Sequence, residues 1–170
     1  NEFGLIFGLD IKDWLFKDFN FWAEYTKITN RTYQSYYVEE VYTHRNFPIG
    51  HYLGNDFDLI QINISKKIVS GGIKPYLSIV FHRDGYNGMD TPFDEPWLAD
   101  DVSLSEGFSE PFPTKPFVKK IESELAIDYN FKNGSMINLG LRHKNNKNNN
   151  KTILEIVTRI KFGIGTSIKY

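Results

Sequence analysis

Seven segments that alternate apolar and polar residues, connections that alternate between short and long, and an aromatic content of 16% together predict an all-β fold. They point to an antiparallel transmembrane β-barrel of outer-membrane type, with the chain supplying about seven strands of its C-terminal portion as one domain, residues 1–170. Helical stripes are nearly absent. No apolar run approaches the ~18 residues of a transmembrane helix, so any membrane span in this chain has to be built from strands.

The strands follow from period two, which gives one apolar and one polar face. The first, about Phe3 to Lys12, carries Phe3, Leu5, Phe7, Leu9 and Ile11 on one face. The second, about Phe19 to Ile28, sets Phe19, Phe21, Ala23 and Tyr25 against Asn20, Trp22, Glu24 and Thr26. The third, about Asp58 to Ile68, opposes Ile60, Ile62 and Ile64 to Gln61, Asn63 and Ser65. The fourth runs from about Ile73 to His82 with Leu77, Ile79 and Phe81 on its apolar face. The fifth, about Phe117 to Phe131, sets Ile121, Leu125, Ile127 and Tyr129 against Lys120, Glu122, Glu124 and Asp128. Asn133-Gly134 reads as a type I′ hairpin turn, both residues accepting positive φ, and leads into a sixth strand from about Met136 to Lys144. The seventh keeps its alternation from Thr152 to Tyr170, a length of about 60 Å at ~3.3 Å per residue.

Short turns near 13–18, 70–72 and 132–134 alternate with long connections at 29–57 and 83–116 and an Asn/Lys-rich tip at 145–151. Outer-membrane barrels have short periplasmic turns and long extracellular loops. With the C-terminus periplasmic, every connection falls on its expected side and the first strand descends. An even-stranded barrel starts with an ascending strand, so the expectation is that one or more strands precede Asn1. The end Gly165 to Tyr170 is similar to the C-terminal signal of outer-membrane proteins. A soluble lipocalin-type barrel is the competing architecture, with the apolar residues turned inward around a ligand.

Composition excludes some functions. Net charge is −1 with acids and bases interspersed, so no footprint for nucleic acid exists. Cysteine is absent, which removes disulfides and thiolate metal sites. His44 and His51 lie seven apart with no standing as a metal motif, and the stretch Asp84 to Asp90 lacks the ligand pattern of a calcium loop and reads as a turn. No GxSxG, Walker A or GxGxxG occurs, and the adjacent acids of the 90–101 loop carry no separation suited to glycosidase chemistry. In that loop Trp97 is a possible stacking platform. The expectation is a non-enzymatic protein without cofactor or metal.

The densest aromatic and polar stretch is Tyr33 to Asp58. Its order Tyr42 to Arg45, Pro48-Ile49-Gly50-His51, then Gly54-Asn55-Asp56-Phe57-Asp58 resembles the loop of Wzi-type capsule-assembly proteins, and Phe21 to Tyr25 resembles that family's strand with an inward glutamate. The likeness covers mainly residues 19 to 65 and does not extend to the family's N-terminal region. It implies an outer-membrane surface lectin that anchors capsular or exopolysaccharide, with outer-membrane lipid around it and envelope-complex proteins as possible partners. Independently, aromatic faces suit the C–H faces of sugars, and polar groups fix their orientation. Tyr36, Tyr37, Tyr42, His44, Arg45, His51, Asn55 and Asp56 are the candidate contacts. For the three tyrosines, loop packing or interfacial anchoring stands beside sugar contact. Gly50 and Gly54 read as turn residues of positive φ. On the polar strand faces, Glu24, Glu122, Glu124, Arg142, Arg159 and Lys161 would form a charged lumen whose default is mutual pairing. An open lumen would make the protein a porin or transporter.

Overall fold

The computed structural model describes residues 3–33, 43–44, 47–48, 50–68, 72–86, 88, 112–147 and 151–163. Within these the chain is all-β, with no helix. Seven antiparallel strands form one sheet in the order β1-β2-β5-β6-β7-β8-β9. They are β1 (Gly4–Lys12), β2 (Phe19–Ile28), β5 (Phe57–Lys66), β6 (Ile73–Asp84), β7 (Val118–Asn130), β8 (Met136–Asn146) and β9 (Lys151–Lys161). Each strand neighbours the next large strand in sequence, as in a meander. The sheet is not closed: β1 and β9 occupy its edges.

Inside the 29–57 connection, which carries no strand signal of its own, β3 (Thr43–His44) and β4 (Phe47–Pro48) pair as a short ladder. The connections 13–18, 67–72 and 131–135 are short and 29–56 and 85–117 long, as expected, but the β8–β9 connection, 147–150, is shorter than any of these and breaks the alternation.

Three details differ from the sequence expectation. Asn133 has no positive φ and Gly134 does (82°), so the turn is not type I′. It is a three-residue loop closed by Phe131 N–H to Ser135 O (2.9 Å) and Gly134 N–H to Phe131 O (3.1 Å). A left-handed third residue is the usual solution for that loop length. The change matters because it fixes Asn130 opposite Met136 and hence the whole β7–β8 register.

Second, β9 ends at Lys161 rather than continuing towards Tyr170, with residues 164–170 outside the described ones. A strand lasts as long as its ladder. Lys161 pairs with Met136, the first residue of β8, and beyond it the chain meets the hairpin loop, where Gly163 N–H bonds Ser135 Oγ at 3.1 Å. A Cβ at Gly163 would lie 2.5 Å from Asn133 O. The expected 60 Å strand is therefore not what sets this fold apart. Third, Gly54 has the expected positive φ (79°) but Gly50 does not. At Gly50 the Tyr33 ring lies where a Cβ would be, so a larger residue there has to displace the end of that side chain.

The described residues group into two compact units, one of 1–7, 25–59 and 82–119, the other of 8–24, 60–81 and 120–170. In the second unit the two faces of the sheet have opposite polarity. Rows across β7, β8 and β9 read Leu125–Leu141–Ile156, Ile127–Leu139–Thr158 and Tyr129–Ile137–Ile160 on one face. Most of these are exposed, and Leu154, Ile156 and Phe162 reach 72%, 82% and 81%. The other face carries Glu124–Arg142–Glu155, Ala126–Gly140–Val157 and Asp128–Asn138–Arg159. Here Glu124, Ala126 and Asn138 are 8%, 2% and 1% exposed. Close packing on this face depends on small residues, since a Cβ at Gly140 would fall 2.5 Å from that of Ala126. In water, each fully exposed large aliphatic leaves roughly 1.5–3 kcal/mol of transfer free energy unrealised.

Candidate functional site

Of the eight candidate sugar contacts, Tyr36, Tyr37, Tyr42 and Arg45 lie outside the described residues, as does Trp97. His44 has its backbone in β3, and its side chain is not among those described. His51, Asn55 and Asp56 are placed, and they belong to a knot in the first unit. Asp56 is fully buried with φ 57°, a conformation that Asp and Asn tolerate better than most residues. Its carboxylate accepts Thr114 N–H (3.0 Å) and the Thr114 hydroxyl, its carbonyl accepts Gly85 N–H (2.7 Å), and its own N–H reaches Thr29 O (3.4 Å). One aspartate thus ties together the three segments around 29, 85 and 114. Gly85 has to be glycine because the Asp56 carboxylate fills the place of its Cβ.

Phe57 follows, fully buried between His51 (ring centroids 4.7 Å) and His82 (6.0 Å, edge-on). His51 also accepts Leu53 N–H through Nδ1 (3.2 Å), and Asn55 is buried with its amide donating to Asn30 O. Asp58, on β5, takes a two-pronged contact from Arg83 on β6, with Nε at 2.8 Å and Nη2 as the second donor. In the motif Gly54-Asn55-Asp56-Phe57-Asp58 every residue therefore has a structural task, holding the base of the long connections in place.

The second unit holds the other polar constellation. Glu124 Oε2 accepts Arg142 Nε (2.8 Å) and Nη2 (2.6 Å) from the neighbouring strand and Arg159 Nη2 (3.0 Å) from one strand further. Its Oε1 accepts Arg159 Nη1 (2.7 Å) and the Tyr76 hydroxyl (2.5 Å). Asn138 completes the net, donating to Tyr76 Oη (3.2 Å) and Asp128 (2.6 Å) and accepting from Arg159 (3.1 Å). Further along the same face Lys144 pairs with Glu155 at 3.1 Å. The expected mutual pairing of the strand-face charges is present for Glu124, Arg142 and Arg159.

Tyr76, Asp128 and Asn138 were not among the residues singled out from sequence. Period two already assigns them to the polar faces of their strands; what it lacks is the register that brings them to Glu124. Beside the net, an open hollow of about 430 Å³ is lined by Asn63, Lys74, Tyr76, Ser78, Asp128 and Arg159 among others. Among the described residues no group of three or more His, Cys, Asp and Glu side chains is placed to hold a metal ion. No arrangement of nucleophile, base and orienting group emerges from either constellation.

The fold defines a class: an all-β antiparallel meander, with a buried knot around Asp56 and Phe57 in the first unit and, across β7, β8 and β9 in the second, a buried polar, ion-paired face backed by an exposed apolar one. No family model, curated protein or solved structure matches the chain.

Proposed function

We propose that this chain is part of an outer-membrane β-barrel that holds capsular or exopolysaccharide at the bacterial cell surface through its long connections. The observation that carries the membrane half is the inverted polarity of the sheet. Lipid-facing strands put apolar side chains outward and polar ones into the lumen, with aromatics at the borders. From the level of Leu154 to that of Phe162 the apolar band spans four steps of two residues, about 27 Å along the strands. A strand tilt of ~35–45° brings that to roughly 20 Å along the membrane normal, close to the ~25 Å apolar band of such barrels. Tyr129, Phe131, Phe162, Trp14 and Phe16, all exposed, supply aromatics at the end with the short turns.

A soluble lipocalin-type barrel would need these residues turned inward, and they are the exposed ones. The lumen in this reading is held by the Glu124 net, which favours a closed, ion-paired interior over a porin channel. Strands beyond these seven would join the open edges of β1 and β9. Polysaccharide holding rests on the resemblance of the 42–58 stretch and on its content of Tyr, His, Arg, Asn and Asp. The Asp56 knot supports it by giving those connections a rigid base, and the mechanism is attachment without turnover.

The test is retention of surface polymer by cells expressing the full-length protein with Tyr36, Tyr37 and Tyr42 changed together to Ala. Release of polymer into the medium, with the variant still in the outer-membrane fraction, is the expected outcome. Unchanged retention overturns the loop assignment, and recovery of the wild type in a soluble fraction overturns the barrel.

A further inference from the structure

The turns 13–18, 67–72 and 131–135 and the last residues of β9 lie at one end of the antiparallel meander, all within the second unit. Backbone N–H groups link them along that rim, Lys67 to Asp18 O (3.0 Å), Asn130 to Gly72 O (2.9 Å) and Gly163 to Ser135 Oγ (3.1 Å).

The first of these turns is the unusual one. Asp13 N–H bonds Phe19 O (2.8 Å), Phe19 N–H bonds Phe16 O (3.2 Å), and the Asp13 carboxylate accepts Asp18 N–H. Both aspartates hold positive φ, 57° and 63°, which Asp tolerates better than most residues. Closed in this way, the turn presents Trp14, Leu15 and Phe16 at its tip, each more than half exposed. Three consecutive large apolar side chains left open on an ordered turn mark a binding surface. Phe131 and Phe162 are exposed along the same rim.

Charge identifies the partner. Residues 12–19, 66–73, 130–136 and 161–163 contain Lys12, Lys17, Lys66, Lys67, Lys132 and Lys161 against Asp13 and Asp18. With Asp10 included, which meets Lys12 at 3.5 Å, the lysines still outnumber the acids two to one. The excess is local, since the whole chain carries −1 and residues 85–117 hold seven acids to one base. The Lys66 ammonium lies 4.8 Å from the centre of the Phe16 ring, so cation and apolar tip belong to one surface.

An apolar tip ringed by cations fits the boundary of a bilayer, where acyl chains receive the tip and headgroup phosphates receive the lysines. Tryptophan suits that boundary, with an apolar body and a polar N–H. An acidic protein surface would match the lysines but set charge against Trp14, Leu15 and Phe16.

We propose that this rim binds phospholipids whose headgroups carry net negative charge, with Trp14, Leu15 and Phe16 at the acyl boundary and Lys17, Lys66 and Lys67 on the phosphates. The proposal rests on the lipid-facing reading of the sheet and goes beyond it, because lipid-facing strands by themselves require no particular headgroup.

The experiment places the full-length protein in bilayers of dibrominated phosphatidylcholine, which is replaced stepwise by unbrominated phosphatidylglycerol or, in parallel, by unbrominated phosphatidylcholine. The fluorescence lost in Trp14→Phe defines the Trp14 signal, and its recovery from bromine quenching reports which lipid occupies the turn. Phosphatidylglycerol is expected to displace the quencher at least about fivefold more effectively, the contribution of roughly one lysine near an anionic surface. Lys17, Lys66 and Lys67 changed together to Gln should bring that preference to about one while the folded form survives on a heat-modifiability gel. Salt at about 0.5 M should weaken the wild-type preference by screening. Equal displacement by the two lipids, a triple variant that keeps the wild-type preference, or a Trp14 that brominated lipid does not quench would each overturn the proposal. A protein that enters the bilayer and shows no headgroup preference sinks this proposal alone, whereas one that stays out of the bilayer sinks the lipid-facing reading with it.

Discussion

Ile156 and Phe162 are matched for exposure, at 82% and 81%, and differ in depth along β9. Ile156 lies one level from the middle of the apolar band, in the row Leu125–Leu141–Ile156, whereas Phe162 lies just past the strand's end at the level of the hairpin loop. If water covers this face, arginine at either site replaces a side chain that buries almost nothing, and both substitutions stay within about 0.5 kcal/mol. If lipid covers it, arginine costs ~2–4 kcal/mol at the midplane and falls to ~0–1 kcal/mol near the interface. Ile156→Arg is therefore expected to destabilise by about 2–3 kcal/mol and Phe162→Arg by less than about 1 kcal/mol. The assay is guanidinium unfolding of the full-length protein in lipid vesicles, followed by tryptophan fluorescence, with the midpoint shift read at constant slope. Two substitutions of equal, sub-kilocalorie cost would refute the lipid-facing assignment, whatever the fate of the polysaccharide reading.

Removing the central carboxylate with Glu124→Ala leaves Arg142 and Arg159 facing one another; a loss of about 2 kcal/mol is expected in the same assay, below the ~3–5 kcal/mol of a fully buried pair because the Arg159 side chain is 42% exposed. Gly140→Ala forces a methyl against Ala126 and should cost about 1–3 kcal/mol, with Ala126→Gly in the same chain recovering part of it, which a double-mutant cycle measures. Gly85→Ala displaces the Asp56 carboxylate from Thr114 and should speed proteolytic cleavage within the 85–117 connection, while Asp56→Asn, which tolerates the same φ, is milder.

Much of the fold was legible in the sequence because strand periodicity is a local property. Six of the seven large strands lie within a few residues of their expected limits, and Phe19–Ile28 coincides with them. The odd length of the β7–β8 loop is itself legible in the same pattern. The apolar residues of β7 and β8 both fall on odd numbers, and partners across an antiparallel pair share a face, so only a loop with an odd number of residues keeps the two patterns in phase. The overlong seventh strand had a different origin, since alternation continues past the point where the neighbouring strand has ended.

At the site, sequence put Glu124, Arg142 and Arg159 on polar faces, and that much follows from period two. It fixed neither which face of the sheet is exposed nor which charges meet. Alternation does not say which of the two faces is exposed, and only the tertiary structure decides it: Ile156 lies open while Asn138 is buried. Arg159 reaches Glu124 two strands away because two registers add, Asp128 opposite Asn138 and Asn138 opposite Arg159, and neither register is a local property of any one strand. The tertiary structure likewise decided that Asn55 and Asp56 face inward as a knot, since the partner that buries Asp56 is Thr114, 58 residues along the chain.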